Sequence, residues 1–141
     1  MVHISTRSWG MIITMTPTVG KHDLARFFDD LRMTHLQDSR GFFGALFDLS
    51  AMGPLHPDLR DPMLSSFRLL LQRGMIRSAM AATNVLLVSQ LRRLTAATDC
   101  APGSRYLDAS LPDWRKEAEG WAAFGAEPQG LFESSGTPSP E

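Results

Sequence analysis

The spacing of apolar and polar positions divides the chain into short strands and amphipathic helices. Val2 to Thr6 and Gly10 to Thr16 read as strands separated by a short Arg-Ser-Trp connection, which predicts an opening antiparallel hairpin. From Val19 to His35 the apolar residues Leu24, Phe27, Phe28 and Leu31 recur at three- and four-residue spacings. That spacing places them on one face of a helix and leaves Lys21, Asp23, Arg26, Asp30 and Arg32 in water. Phe42, Phe43, Ala45, Leu46 and Phe47 do not alternate with polar residues, as expected of a central parallel strand covered on both faces.

Asp61-Pro62 predicts the next helix start, with Asp61 as N-cap, Pro62 at the first helical position and about 1 kcal/mol lost in Asp61→Ala. Met63, Leu64, Phe67, Leu70 and Leu71 supply its buried stripe, and Gly74 is placed to end it in a left-handed conformation. Met75 to Ala82 reads as a strand. Asn84 is expected to cap a helix running to about Thr98, with Val85, Val88, Leu91 and Leu94 inward and Arg92 and Arg93 near its last turns, where cations suit the helix dipole. After the Ala101-Pro102-Gly103 break, Arg105 to Asp108 reads as a final strand. Ser110 is expected to cap the last helix, along which Trp114, Ala118 and Trp121 stack.

The resulting order, ββαβαβαβα, predicts an α/β fold in which right-handed crossovers lay helices on a mixed, mostly parallel sheet. One domain is expected over residues 1–124. Residues 125–141 carry too little apolar content to offset chain entropy and are expected to be a disordered tail. At 141 residues and 43% hydrophobic content the chain fills a single core and no second domain.

The net charge of -1 exerts no global pull on nucleic acid or anionic membrane, but it conceals an asymmetry. Seven arginines between residues 60 and 105 stand against Asp61 and Asp99, whereas seven acids after residue 105 stand against Arg115 and Lys116. These segments neutralise one another on folding, or the arginines Arg68, Arg73, Arg92 and Arg93 meet an acidic partner or a lipid headgroup. Nucleic-acid binding would need exposed aromatics on a basic face, and the aromatics near these arginines are expected in the core. Arginine outnumbers lysine twelve to two, which fits a GC-rich genome as readily as bidentate pairing. Cys100 is the single cysteine, so an internal disulfide is excluded and a reducing compartment is expected. With neither a signal-peptide pattern nor an apolar run of bilayer length, a cytoplasmic protein is expected.

The element order, together with "FDLSAMGP" leading into a capped helix, resembles the STAS and SpoIIAA-like fold of anti-sigma-factor antagonists, transporter tails and stressosome proteins. The resemblance covers about residues 2 to 124. "RYLDAS" followed by Pro-Asp-Trp is similar to uncharacterised bacterial relatives of that family. In antagonists that are phosphorylated, an Asp-Ser-Ser/Thr-Gly stretch opens the helix after such a strand. The positions that align without gaps are His56, Pro57, Asp58 and Leu59, and proline has no hydroxyl to phosphorylate. Ser65 and Ser66 lie a turn or more into the helix. The resemblance therefore implies a non-catalytic regulatory or protein-interaction module in bacterial signalling, without the phosphorylatable serine, that docks a protein partner or a second copy of itself.

Catalytic chemistry finds little support. Asp48 ends a central strand as a receiver-domain phosphoacceptor would, but no acidic pair follows "GMIITMT" and no lysine follows "MIRSAMAA". His3, His22, His35 and His56 lack zinc-ligand spacing. Nucleophile-elbow, phosphate-loop and dinucleotide motifs are absent. An enzyme is not expected, and no cofactor or metal is assigned. The candidate partner-binding loop is Asp48, Ser50, His56, Asp58 and Arg60, where open α/β sheets place their ligands. The alternative is a carrier of a small apolar ligand or lipid, with Met52, Met63, Met75, Met80, Phe42, Phe43 and Phe67 as pocket lining.

Overall fold

A computed structural model of the chain describes residues 1–33 and 41–132. Strands β1 (Val2–Arg7) and β2 (Gly10–Met15) form the expected antiparallel hairpin across the two-residue turn Ser8-Trp9, with Arg7 opposite Gly10. There follow α1 (Lys21–Met33), β3 (Phe43–Leu49), a 3₁₀ turn (Pro57–Leu59), α2 (Arg60–Arg73), β4 (Met75–Ala82), α3 (Val85–Ala96), a second 3₁₀ turn (Ala101–Gly103), β5 (Ser104–Asp108) and α4 (Trp114–Phe124). The sheet order is β1-β2-β3-β4-β5, antiparallel only between β1 and β2. The fold is α/β, with one mixed, mostly parallel sheet. Among the described residues no helix is long and apolar enough to cross a membrane.

The strand order explains the layering. Each crossover from β2 through β5 moves one strand further in the same direction, and crossovers of one hand then fall on one face of the sheet. Accordingly Leu24 and Phe27 of α1, Met63 and Phe67 of α2, and Leu87 and Leu91 of α3 share one core with Ile13, Phe47, Leu49 and Met80 of the sheet. Phe47 and Phe67 meet edge to face, ring centres 5.5 Å apart, at its centre. The alternate strand residues Ile12, Leu46, Ala79, Ala81 and Leu107 face the other way and are covered by Ala118, Trp121 and Ala122 of α4. Helix α4 follows the last strand and has no further strand to reach, so it is free to take the second face. It lies close: a Cβ on Gly44 would sit 1.9 Å from the Ala122 carbonyl oxygen.

Two expected caps are present. The Asn84 side chain accepts from the Leu87 amide, and Gly74 closes α2 at φ 111° with its amide donating to the Leu70 and Leu71 carbonyls. Two others are not. Asp61 lies inside α2, whose entry is wound one turn earlier by the Pro57–Leu59 turn, and the residue at the cap position, Leu59, makes no side-chain bond. Ser110 donates through its amide and hydroxyl to Asp108 Oδ1, closing a turn before α4 instead of capping it, and the cap position falls to Asp113. The inward stripe of α3 runs through Leu87, Val88, Leu91 and Leu94, while Val85 is exposed because it opens the first turn beside the Asn84 cap. Phe42 precedes β3 and is exposed as well.

Residues 125–132, read from the sequence as the start of a disordered tail, form a strap along β5. Leu131 bridges Leu107, the Asp108 amide donates to the Gly130 carbonyl at 2.8 Å, and the Phe132 amide donates to the Tyr106 carbonyl at 2.9 Å. Arg105 holds Glu127 through Nε and Nη2, and Glu117 Oε1 accepts from the Gln129 and Gly130 amides. Few apolar groups are needed because the bonds are made to backbone and to fixed charges. Residues 133–141 of the expected tail, and the His35 end expected for α1, lie outside the described residues.

Candidate functional site

Asp48, Ser50, His56, Asp58 and Arg60 all follow from one structural event, the exit of the chain from the carboxyl end of β3. The fold nevertheless separates them into two groups. Strand alternation turns Asp48 toward the α4 face, paired in register with Thr14 of β2 and Ala81 of β4. Its carboxylate is buried and fully engaged: Oδ1 accepts from the Ser50 hydroxyl at 2.6 Å and the Ser50 amide at 3.2 Å, and Oδ2 accepts from Arg115 Nη2 at 2.6 Å. Arg115 in turn lies over the Trp114 ring at 4.8 Å. The Ser50 carbonyl accepts from the Thr83 hydroxyl, so this end of the loop is tied to β4. Asp48 and Ser50 thus finish a strand and hold α4.

The second group lies on the surface. After buried Met52, Leu55 anchors the chain, its amide donating to Gln90 Oε1 at 2.7 Å and its carbonyl accepting from Gln90 Nε2 at 3.0 Å. One side chain of α3 thereby replaces a backbone ladder and fixes the loop. His56 Nδ1 accepts from the Asp58 amide at 3.1 Å, capping the Pro57–Leu59 turn. In that role Nδ1 is unprotonated. The Asp58 carboxylate stands 3.6 Å from the same nitrogen, a distance that becomes an ion pair only when the ring is charged. Arg60 begins α2 and is mostly exposed.

Between this loop and α3 lies a cleft of about 220 Å³ lined by Leu55, His56, Pro57, Arg60, Gln90 and Arg93 among others. Gln90 and Arg93 were not among the site residues read from the sequence. Both lie on the outward side of α3, three residues apart and so on the same surface, but nothing in the local pattern links that surface to a loop some thirty residues earlier. Arg115 was likewise not foreseen as the partner of Asp48.

Among other titratable groups, Cys100 is buried and Tyr106 half-buried. Burial pushes the Cys100 thiol up, partly opposed by the Thr98 side chain. Burial also raises Tyr106, whose hydroxyl is bonded to Thr95 and whose ring lies 4.8 Å under the Arg92 guanidinium. Among the described residues no three His, Cys, Asp or Glu side chains gather as a metal-holding group. A second groove, about 530 Å³, runs between α1 and α2 over Leu24, Ala25, Phe28 and Pro62, with Lys21, His22, Asp29 and Ser65 at its rim. Comparison of the chain with protein-family models, curated proteins and solved structures finds no match.

Proposed function

We propose that the chain is a non-catalytic, STAS-like regulatory module of bacterial signalling that docks a protein partner through the loop and helix start at residues 53–67. The observation that carries this reading is the clamp of Gln90 on Leu55. It fixes an exposed segment bearing His56, Asp58 and Arg60 at the carboxyl ends of parallel strands, so a partner would not have to order the loop on binding. Pro57 supports the absence of a phosphorylation switch: it fills the first position of the 3₁₀ turn, where its fixed φ and missing amide are tolerated. The test is affinity capture from cells that express the chain, comparing the parent with Pro57→Ser, His56→Asp and Arg60→Asp. The same partner should be retained by the parent and by Pro57→Ser and lost with the two charge variants. Equal retention by all four would sink the reading.

The groove between α1 and α2 favours a second reading, a carrier of a small apolar ligand, because its volume falls within the range of about 300–1,000 Å³ typical of small-molecule sites. The methionines and phenylalanines first considered as pocket lining do not supply that groove; Met52, Met63, Met75, Met80, Phe43 and Phe67 fill the core. Native against denaturing mass spectrometry on protein purified without added ligand decides this reading. A reproducible extra mass lost on denaturation supports the carrier, and a bare chain counts against it.

A further inference from the structure

We infer that the cleft between the Leu55–Arg60 segment and α3 seats an oxyanion, carboxylate or phosphoryl, carried on an acidic peptide segment of the docking partner; the inference rests on the docking reading above. Size is the first reason. At about 220 Å³ the cleft is smaller than the roughly 300–1,000 Å³ of sites that enclose whole small molecules, so it suits one side-chain group better than a cofactor.

Charge is the second. Two guanidiniums, Arg60 and Arg93, line the cleft from different helices, and among the described residues no carboxylate lines it. The Asp61 carboxylate lies 3.9 Å from Arg60, beyond hydrogen-bond distance, on a side chain 90% exposed to water. Asp58 lies within the 3₁₀ turn beside the cleft and does not line it. The Arg93 guanidinium has no hydrogen-bond or ion-pair partner among the described residues. Planar guanidinium forks match carboxylate and phosphate oxygens in pairs, which a lysine ammonium does not.

Rigidity is the third. Leu55 and Leu94 are buried beneath the cleft and Gln90 pins the loop, so Arg60 and Arg93 are carried by two helices with a fixed separation. The fourteen-residue helix α2 opens at the rim, and its positive end adds to the same field. The seat lies within the segment that carries the docking reading, which is why its occupant is assigned to a peptide.

The test is a ¹H–¹⁵N NMR titration of the full chain with four probes: a phosphoserine peptide, its glutamate counterpart, the unmodified serine peptide and inorganic phosphate. The amides of His56, Asp58, Arg60 and Arg93 should shift saturably with the phosphoserine or glutamate peptide and not with the serine peptide. Arg60→Ala with Arg93→Ala should weaken binding about tenfold or more, as expected for loss of charge-assisted hydrogen bonds. Arg68→Ala, an exposed α2 position outside the cleft, should not. Absence of saturation with both acidic peptides, or unchanged affinity in the double variant, overturns the proposal. So does a response to inorganic phosphate equal to that of the peptides, which would mark a free-anion site. Failure of the docking reading looks different: peptide binding is then lost in the double variant while the captured complex stays intact. If His56→Asp breaks the complex but neither peptide binds, docking stands and the oxyanion seat falls.

Discussion

Arg115 Nη2 donates to Asp48 Oδ2 across 2.6 Å, fastening α4 to the carboxyl end of β3. Asp48 is nearly sealed from water and Arg115 is half exposed, so the carboxylate depends on the arginine more than the arginine on it. Removing Arg115 leaves a buried charge held by Ser50 alone. Arg115→Ala should therefore lower stability by about 1–2 kcal/mol, the lower part of the range for charged hydrogen bonds because solvent screens the exposed side of the pair. Urea unfolding measures it, and a midpoint equal to the parent's would show the pair to be idle.

Gly44 allows the backbone of α4 to touch the sheet. Its substitution by alanine directs a methyl group at a carbonyl oxygen that has no side-chain freedom to move aside. Gly44→Ala should cost about 3 kcal/mol, the upper part of the overpacking range, and should weaken the near-ultraviolet circular dichroism contributed by Trp121. Full retention of that signal together with parental stability would contradict the close approach.

The strap over β5 should open in acid. Hydrogen bonding to Arg105 holds the Glu127 carboxyl below the ordinary carboxylate range. A folded-state value below the unfolded one means that the stabilisation is complete above the unfolded value and is lost as pH falls through the folded one. Hydrogen exchange at the Phe132 amide should accelerate over that window relative to the amides of β3, and Arg105→Gln should remove the difference. An identical pH profile for parent and variant would argue against Glu127 as the latch.

Cys100 should be inert in the folded chain. It is 4% exposed and its burial favours the protonated thiol, whereas alkylation requires an accessible thiolate. Mass spectrometry should find slow modification by iodoacetamide in native buffer and complete modification in urea. Equal rates in both would place the thiol at the surface.

Asp61→Ala should change stability by less than about 0.5 kcal/mol, as for an exposed residue whose contact is a long, solvent-screened pair with Arg60, instead of the cost of a lost cap. The motif Asp-Pro is a sound helix-start signal, yet here the chain already enters the helix through Pro57–Leu59, with His56 supplying the cap. Both readings place a proline near the helix start. The local sequence could not choose between Pro57 and Pro62, because the choice depends on where Gln90 halts the loop.

The same division runs through the whole molecule. Among the described residues the hairpin, the four helices, the five strands, the Asn84 cap and the Gly74 stop were legible, because each depends on residues within a few positions of one another and on the periods of strand and helix. The candidate loop was legible too, as the exit of a central strand. What it holds was not. The turn of Asp48 toward Arg115, the clamp of Gln90 on Leu55, the arrival of Arg93 beside Arg60, and the strap on β5 all join groups many residues apart. Local periodicity fixes which face of an element is apolar, but only the packed sheet, with three helices committed to one side by their crossovers and α4 left to the other, decides which polar groups meet.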